Sequence, residues 1–177
     1  MGRLHHNRGG GLFIWGDNAP LFAHSNALLA KLFKGMGIEQ VNDHQGGQIM
    51  KAGTSPTTPG QFRTDHVIMT GIQSLFEGTT ICHLKNVGPL KILATYNSGS
   101  GYTGQPYCAI ADAEVYGKCP PDPDMVKVGR GHVAIDGGFT KLYDQYFEKT
   151  TGTARYVKNV STWLVNIGSR LKSEGVP

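Results

Sequence analysis

The stretch LKILATYNSGSGYTG, residues 90–104, is an apolar run that stops at Tyr96, Asn97 and Ser98 and passes into glycine. Pro89 can open a helix at its first turn, and Leu90, Leu93 and Tyr96 then recur at helical spacing. The spacing predicts a buried helix ending on an aromatic hydroxyl, an amide and a hydroxyl side by side. Two readings of that end stay open. Asn and Gly after the last apolar residue are ordinary stop signals. The polar cluster is also larger than a cap needs, which makes Tyr96 and Asn97 candidate ligand-binding residues.

Helical spacing recurs on both sides of this stretch. LFAHSNALLAKLFKG (21–35) puts Leu21, Leu28, Leu29, Leu32 and Phe33 on one stripe, stopped by Gly35 and Gly37. Residues 64–82 repeat the pattern with Val67, Ile68, Ile72, Leu75 and Phe76. A short helix is expected near 108–116 and another over 139–148. The last segment has the clearest period, with Tyr156, Val160, Trp163, Leu164, Ile167 and Leu171. Residues 39–60 read as a polar, glycine-bearing loop, and 99–138 as an irregular connection rich in glycine and proline. The sum is a mainly α single domain over 13–177, with at most a small β element near 40–60 or 128–137. Residues 1–12 read as a disordered leader, with His5 and His6 belonging to no site.

Composition narrows the function classes. The 177 residues support one domain with a real core; 39% are hydrophobic and 17% charged. Lys and Arg exceed Asp and Glu by 17 to 13, and the pI is near 9.0. That mild excess suits an anionic polymer but lacks the dense basic face of a nucleic-acid binder. No signal-peptide core and no membrane-length apolar run is visible. The 3 cysteines, Cys82, Cys108 and Cys119, have no metal-ligand spacing, and neither a metal nor another cofactor is expected. Cys108 and Cys119 can close a short loop as a disulfide only in an oxidising compartment.

Three pieces in one order resemble a known family. GGQIMKAG (46–53) resembles the G-x-G-Q-I-N turn of lytic transglycosylases, the goose-type lysozyme-like enzymes. ILATYNSGSG (92–101) resembles their A-L-x-x-Y-N-x-G motif, and TARYVKNVSTWL (153–164) their closing E-T-x-x-Y-V helix. The bacteriophage or secretion-system type is nearest. The resemblance implies a lysozyme-like fold and cleavage of the MurNAc–GlcNAc bond of peptidoglycan by a single carboxylic acid. It implies an extracytoplasmic protein, with peptidoglycan strands and a larger virion or secretion assembly as partners. Tyr96 then supports catalysis, while Gln48, Asn97 and Tyr156 line the groove.

The chain departs from that pattern at the acid, because residues 18–33 hold no Glu or Asp. Glu39 follows the first helix, where the family's acid belongs, and is the candidate catalytic residue. Asp43 is a second acidic candidate in the substrate groove, and Asp17 a third carboxylate before the helix. Such an acid needs a partly apolar pocket that raises its pKa.

A second constellation competes. QPYCAIADAEVYG (105–117) puts Cys108 at the start of a possible helix, and GRGHVAIDGG (129–138) puts His132 on a short strand with Asp136 beyond it. That order resembles the Cys/His peptidoglycan amidases, in which a helix N-terminus lowers the thiol pKa and an imidazole takes its proton. The missing acid supports a third reading, a non-catalytic wall-binding or structural protein on a lysozyme-like scaffold.

Overall fold

Lys91–Thr95, the heart of the run quoted above, is a β-strand. In this computed structural model, which describes residues 9–53, 58, 60–96, 104–119, 131–143, 145 and 151–165, it lies inside a sheet. The strands are β1 (Leu12–Trp15), β2 (Glu39–Gln45), β3 (Ile49–Gly53), β4 (Gln61–Arg63), β5 (Ser74–Phe76), β6 (Thr80–Lys85), β7 (Lys91–Thr95), β8 (Pro106–Ala111) and β9 (Val133–Asp136). The helices are α1 (Ala23–Leu32), α2 (Ala113–Gly117) and α3 (Thr153–Val165). Seven strands join in the order β1-β9-β8-β7-β4-β3-β5, and β2 pairs with β6 in a separate two-stranded ladder. The β1–β9 and β3–β4 pairs are parallel; the others are antiparallel.

The expectation of a mainly α, lysozyme-like domain is therefore corrected: this is a mainly β protein on a mixed sheet. The physical reason is burial on both faces. β7, β8 and β9 each have a hydrogen-bonded neighbour on either side. Every residue of β9 and all but the first of β8 are buried. Strands covered on both faces read as continuous apolar runs, and periodicity cannot tell them from buried helix. The helix expected over 64–82 is a 3-10 turn at Val67–Met69 followed by β5 and β6. The one near 108–116 is β8 and then α2, whose Asp112 side chain caps the N–H groups of Glu114 and Val115. The one expected over 139–148 is a 3-10 turn at Phe139–Leu142; residues 146–150 lie outside the described residues.

Two helices match the sequence. α1 buries Leu29 and Leu32 and ends before Gly35, whose φ of +79° favours glycine. α3 buries Thr153, Tyr156, Val160 and Leu164 along one face. Side chains of the sheet alternate between two cores. Phe13, Trp15, Leu93 and Tyr107 pack with α3, while Ile14, Ala109, Val133 and Ile135 pack with α1 and α2. Among the described residues no helix is long and apolar enough to cross a membrane.

Candidate functional site

The sheet gathers its polar side chains at the carboxyl end of the parallel pair β1 and β9. Asp136 closes β9 and sits opposite Cys108 of β8. The next residues turn sharply onto β6: the N–H of Cys82 donates to the carbonyl of Gly137 at 3.0 Å. A Cβ on Gly138 would come within 1.9 Å of the Glu77 carbonyl oxygen, so this approach requires glycine. The turn then carries Lys141 back under the sheet.

The result is a sealed charge centre. Asp136 and Lys141 are both fully buried. Lys141 Nζ lies 2.8 and 2.7 Å from the two carboxylate oxygens of Asp136. The Gly138 N–H donates to Oδ1 at 2.8 Å, and the Tyr156 hydroxyl to Oδ2 at 2.8 Å. Both oxygens therefore accept two bonds each, which is what a buried carboxylate needs. The ammonium also faces the rings of Tyr107, Tyr156 and Trp15 at 4.8, 5.5 and 5.8 Å. Burial, with the Asp136 charge next, pushes the Tyr107 and Tyr156 hydroxyls well above their ordinary range. Two more carboxylates are buried nearby in the fold. Glu77 Oε1 accepts the Gln48 N–H at 3.2 Å, and Asp17 Oδ1 accepts the Thr80 hydroxyl at 2.6 Å.

Residues expected to act together are dispersed. Glu39 opens β2 in the small ladder, is 43% exposed and pairs with Lys85 at 3.3 Å. Tyr96 follows β7 of the large sheet and is fully buried, its hydroxyl 3.4 Å from His83 Nδ1. Gln48 is exposed beside β3, and Tyr156 is fully buried against Asp136. Asn97 and the side chain of Asp43 lie outside the described residues.

The thiol constellation is likewise taken apart. Cys108 lies within a strand, not at a helix N-terminus, and its Sγ is 3.2 Å from the Tyr156 hydroxyl. Burial, then the Asp136 charge, pushes its pKa up to about 12, opposite to an activated nucleophile. His132 precedes β9, so it sits about 13 Å along the strand from Asp136 and Cys108 at the strand rise per residue. Its ring stacks on Trp163 at 4.2 Å, and its Nδ1 is 2.9 Å from the Trp163 carbonyl. Asp136 binds Lys141 and Tyr156 instead. Cys108 and Cys119 both carry reduced thiols, with no bridge between them.

Sequence reasoning missed Lys141 and Glu77 altogether. The signal for the first was a lysine five residues after the Asp of an Asp-Gly-Gly that ends an apolar run. An open groove of about 580 Å³ lies elsewhere, beside α1, lined by Asn26, Phe33, Gly37, Ile38, Glu39 and Asn86. Among the described residues no cluster of His, Cys, Asp or Glu is placed to hold a metal.

Comparisons with known proteins bear on the fold. No family model matches the chain, and no curated protein matches it. Among solved structures it resembles one described as "mmIFT52 N-terminal domain", with a TM-score of 0.59 and 14% identity over 91% of this chain and 67% of that one. This likeness and the mixed sheet overturn the resemblance to lytic transglycosylases and lysozymes, and with it the peptidoglycan-cleaving function. At such low identity what the two chains share is a fold: this chain is built on the architecture of an IFT52 N-terminal domain.

Proposed function

We propose that the chain is a non-catalytic interaction module that works as a part of a larger protein assembly. One observation carries the reading: the groups with the most chemical potential are spent on internal cohesion. Asp136, Lys141, Tyr156 and Cys108 tie β8, β9, the turn after it and α3 into one buried network. A charge pair with its hydrogen bonds completed inside the core specifies packing, and it offers no oxygen or proton to a bound molecule. The likeness to the IFT52 N-terminal domain supports the same reading at the level of fold.

The extracytoplasmic placement rested on a wall substrate and loses that support. Three cysteines without a disulfide, two of them buried, favour a reducing compartment. The test is fractionation of the protein at its natural abundance, under native conditions. The expected outcome is elution in a particle several times its own 19.1 kDa mass. Elution at no more than the mass of one or two copies would reject the assembly role.

A further inference from the structure

A mixed sheet of this kind has strand edges, and an edge either pairs or is closed. Of the four edges among the described strands three are closed by the chain itself, β6 by the Cys82 N–H donating to the Gly137 carbonyl at 3.0 Å. On β2, the Asn26 side chain donates to the Gln40 carbonyl at 2.7 Å and accepts its N–H at 2.6 Å, in the manner of a neighbouring strand. A bulge between Val41 and His44 breaks the rest of that strand. On β5, the Gly152 N–H donates to the outward carbonyl of Ser74 at 2.8 Å.

β1 is different. Leu12 and Gly16 donate their N–H groups to His132 and Asp136, so Leu12, Ile14 and Gly16 face β9. Phe13 and Trp15 therefore direct their N–H and C=O groups away from the sheet. Among the described residues neither backbone makes a hydrogen bond on that side. The strand LFIW has no charge, no proline and no bulge, the devices by which natural edges refuse a partner.

We propose that β1 pairs antiparallel with β1 of a second copy of this chain, about a twofold axis at Ile14, joining two seven-stranded sheets into one. The occupant follows from the pattern of the edge. Phe13 of one copy placed opposite Trp15 of the other exchanges both backbone bonds, and the symmetric pair does the same. Every outward group on both strands then has a partner, with no register slip and no charge opposed. Ile14 meets Ile14 in the closer, non-bonded pair, with Cα atoms about 4.5 Å apart. The Phe13 and Trp15 rings, already 4.3 Å apart within one strand, gain aromatic neighbours across the axis. The backbone bonds alone would accept any extended strand; a second copy is singled out because it sets Phe13 and Trp15 against aromatic rings with no charge on either edge.

This proposal gives the assembly reading a first partner, and it rests on that reading for its purpose but not for its geometry. The test uses the purified full chain alone, so the two fail separately. Sedimentation velocity over a concentration series is expected to show a monomer–dimer equilibrium. Phe13→Ala and Phe13→Pro both lose the ring, but only proline removes the outward N–H while leaving the β9 ladder intact. The proline variant is expected to dimerise about tenfold more weakly than the alanine variant, from the loss of one edge bond per copy. Should Phe13→Pro fail to fold, Ile14→Cys in a Cys119→Ser background decides: diamide should yield a disulfide-linked dimer across the axis. A wild type that stays monomeric throughout, equal dimerisation of the two Phe13 variants, or no Ile14→Cys cross-link each overturns the proposal. A monomer that instead takes up another protein's strand at β1 overturns it too.

Discussion

Lys141 shows what a single side chain can be made to do once its surroundings are complete. Its ammonium is fully buried, and Asp136 meets it with both oxygens. Removing one partner leaves an uncompensated charge in the core, at a cost of about 3–5 kcal/mol. Lys141→Met should therefore lose about that much stability in urea unfolding. The double change Asp136→Asn with Lys141→Met should lose clearly less than the two single losses added, because no net charge is left behind. Additive losses would show that the two groups stabilise the fold independently. Asp136 was legible in the sequence only as a partner for His132. Its real partner was hidden because the turn that returns Lys141 depends on Gly138 pressing against Glu77, a contact across 61 residues of chain.

Elements with one wet face were legible, and elements with none were not. α3 exposes Arg155, Lys158, Ser161 and Thr162 between its buried residues, so its period of 3.6 survives in the sequence. β7 and β8 have too little wet face to mark a period of two, and their apolar runs passed for helix. The docking of α3 makes a separate prediction. Asn159 donates to the carbonyls of Ile68 and Thr70, and His66 Nδ1 accepts the Ile68 N–H at 3.3 Å to hold that same turn. Burial, then the Arg63 charge, lowers the His66 pKa from the ordinary 6.5, while Asp65 and Asp112 oppose and Lys91 adds to the effect. A base with a depressed native pKa contributes stability above its unfolded value, which is lost as pH falls through the native one. Protection of the amides in 67–70 and in α3, taken relative to their intrinsic exchange rates, should fall as pH drops below the ordinary 6.5. His66→Ala should flatten this pH dependence, and an unchanged profile would assign the effect to another group.

At the scale of the whole molecule, the buried thiols can report on opening of the fold. Cys82 and Cys108 are buried, and burial raises the pKa of each. Cys119 is half-exposed at the end of α2. Native protein should therefore react rapidly at Cys119 alone with a thiol reagent at neutral pH, the other two reacting only on unfolding. Fast labelling of Cys108 in native protein would mean that β8 opens locally, apart from the rest. The sequence by itself determined the amount of apolar material, the helices α1 and α3, the mild positive charge and the supply of thiols. These depend on composition or on neighbours three and four residues apart. Only the tertiary structure decided that the central runs are strands, that Asp136 meets Lys141, and that β1 ends the sheet with no strand on its outer edge among the described residues. Each of those rests on pairings between distant segments, and burial on both faces erases the local period that would have announced them.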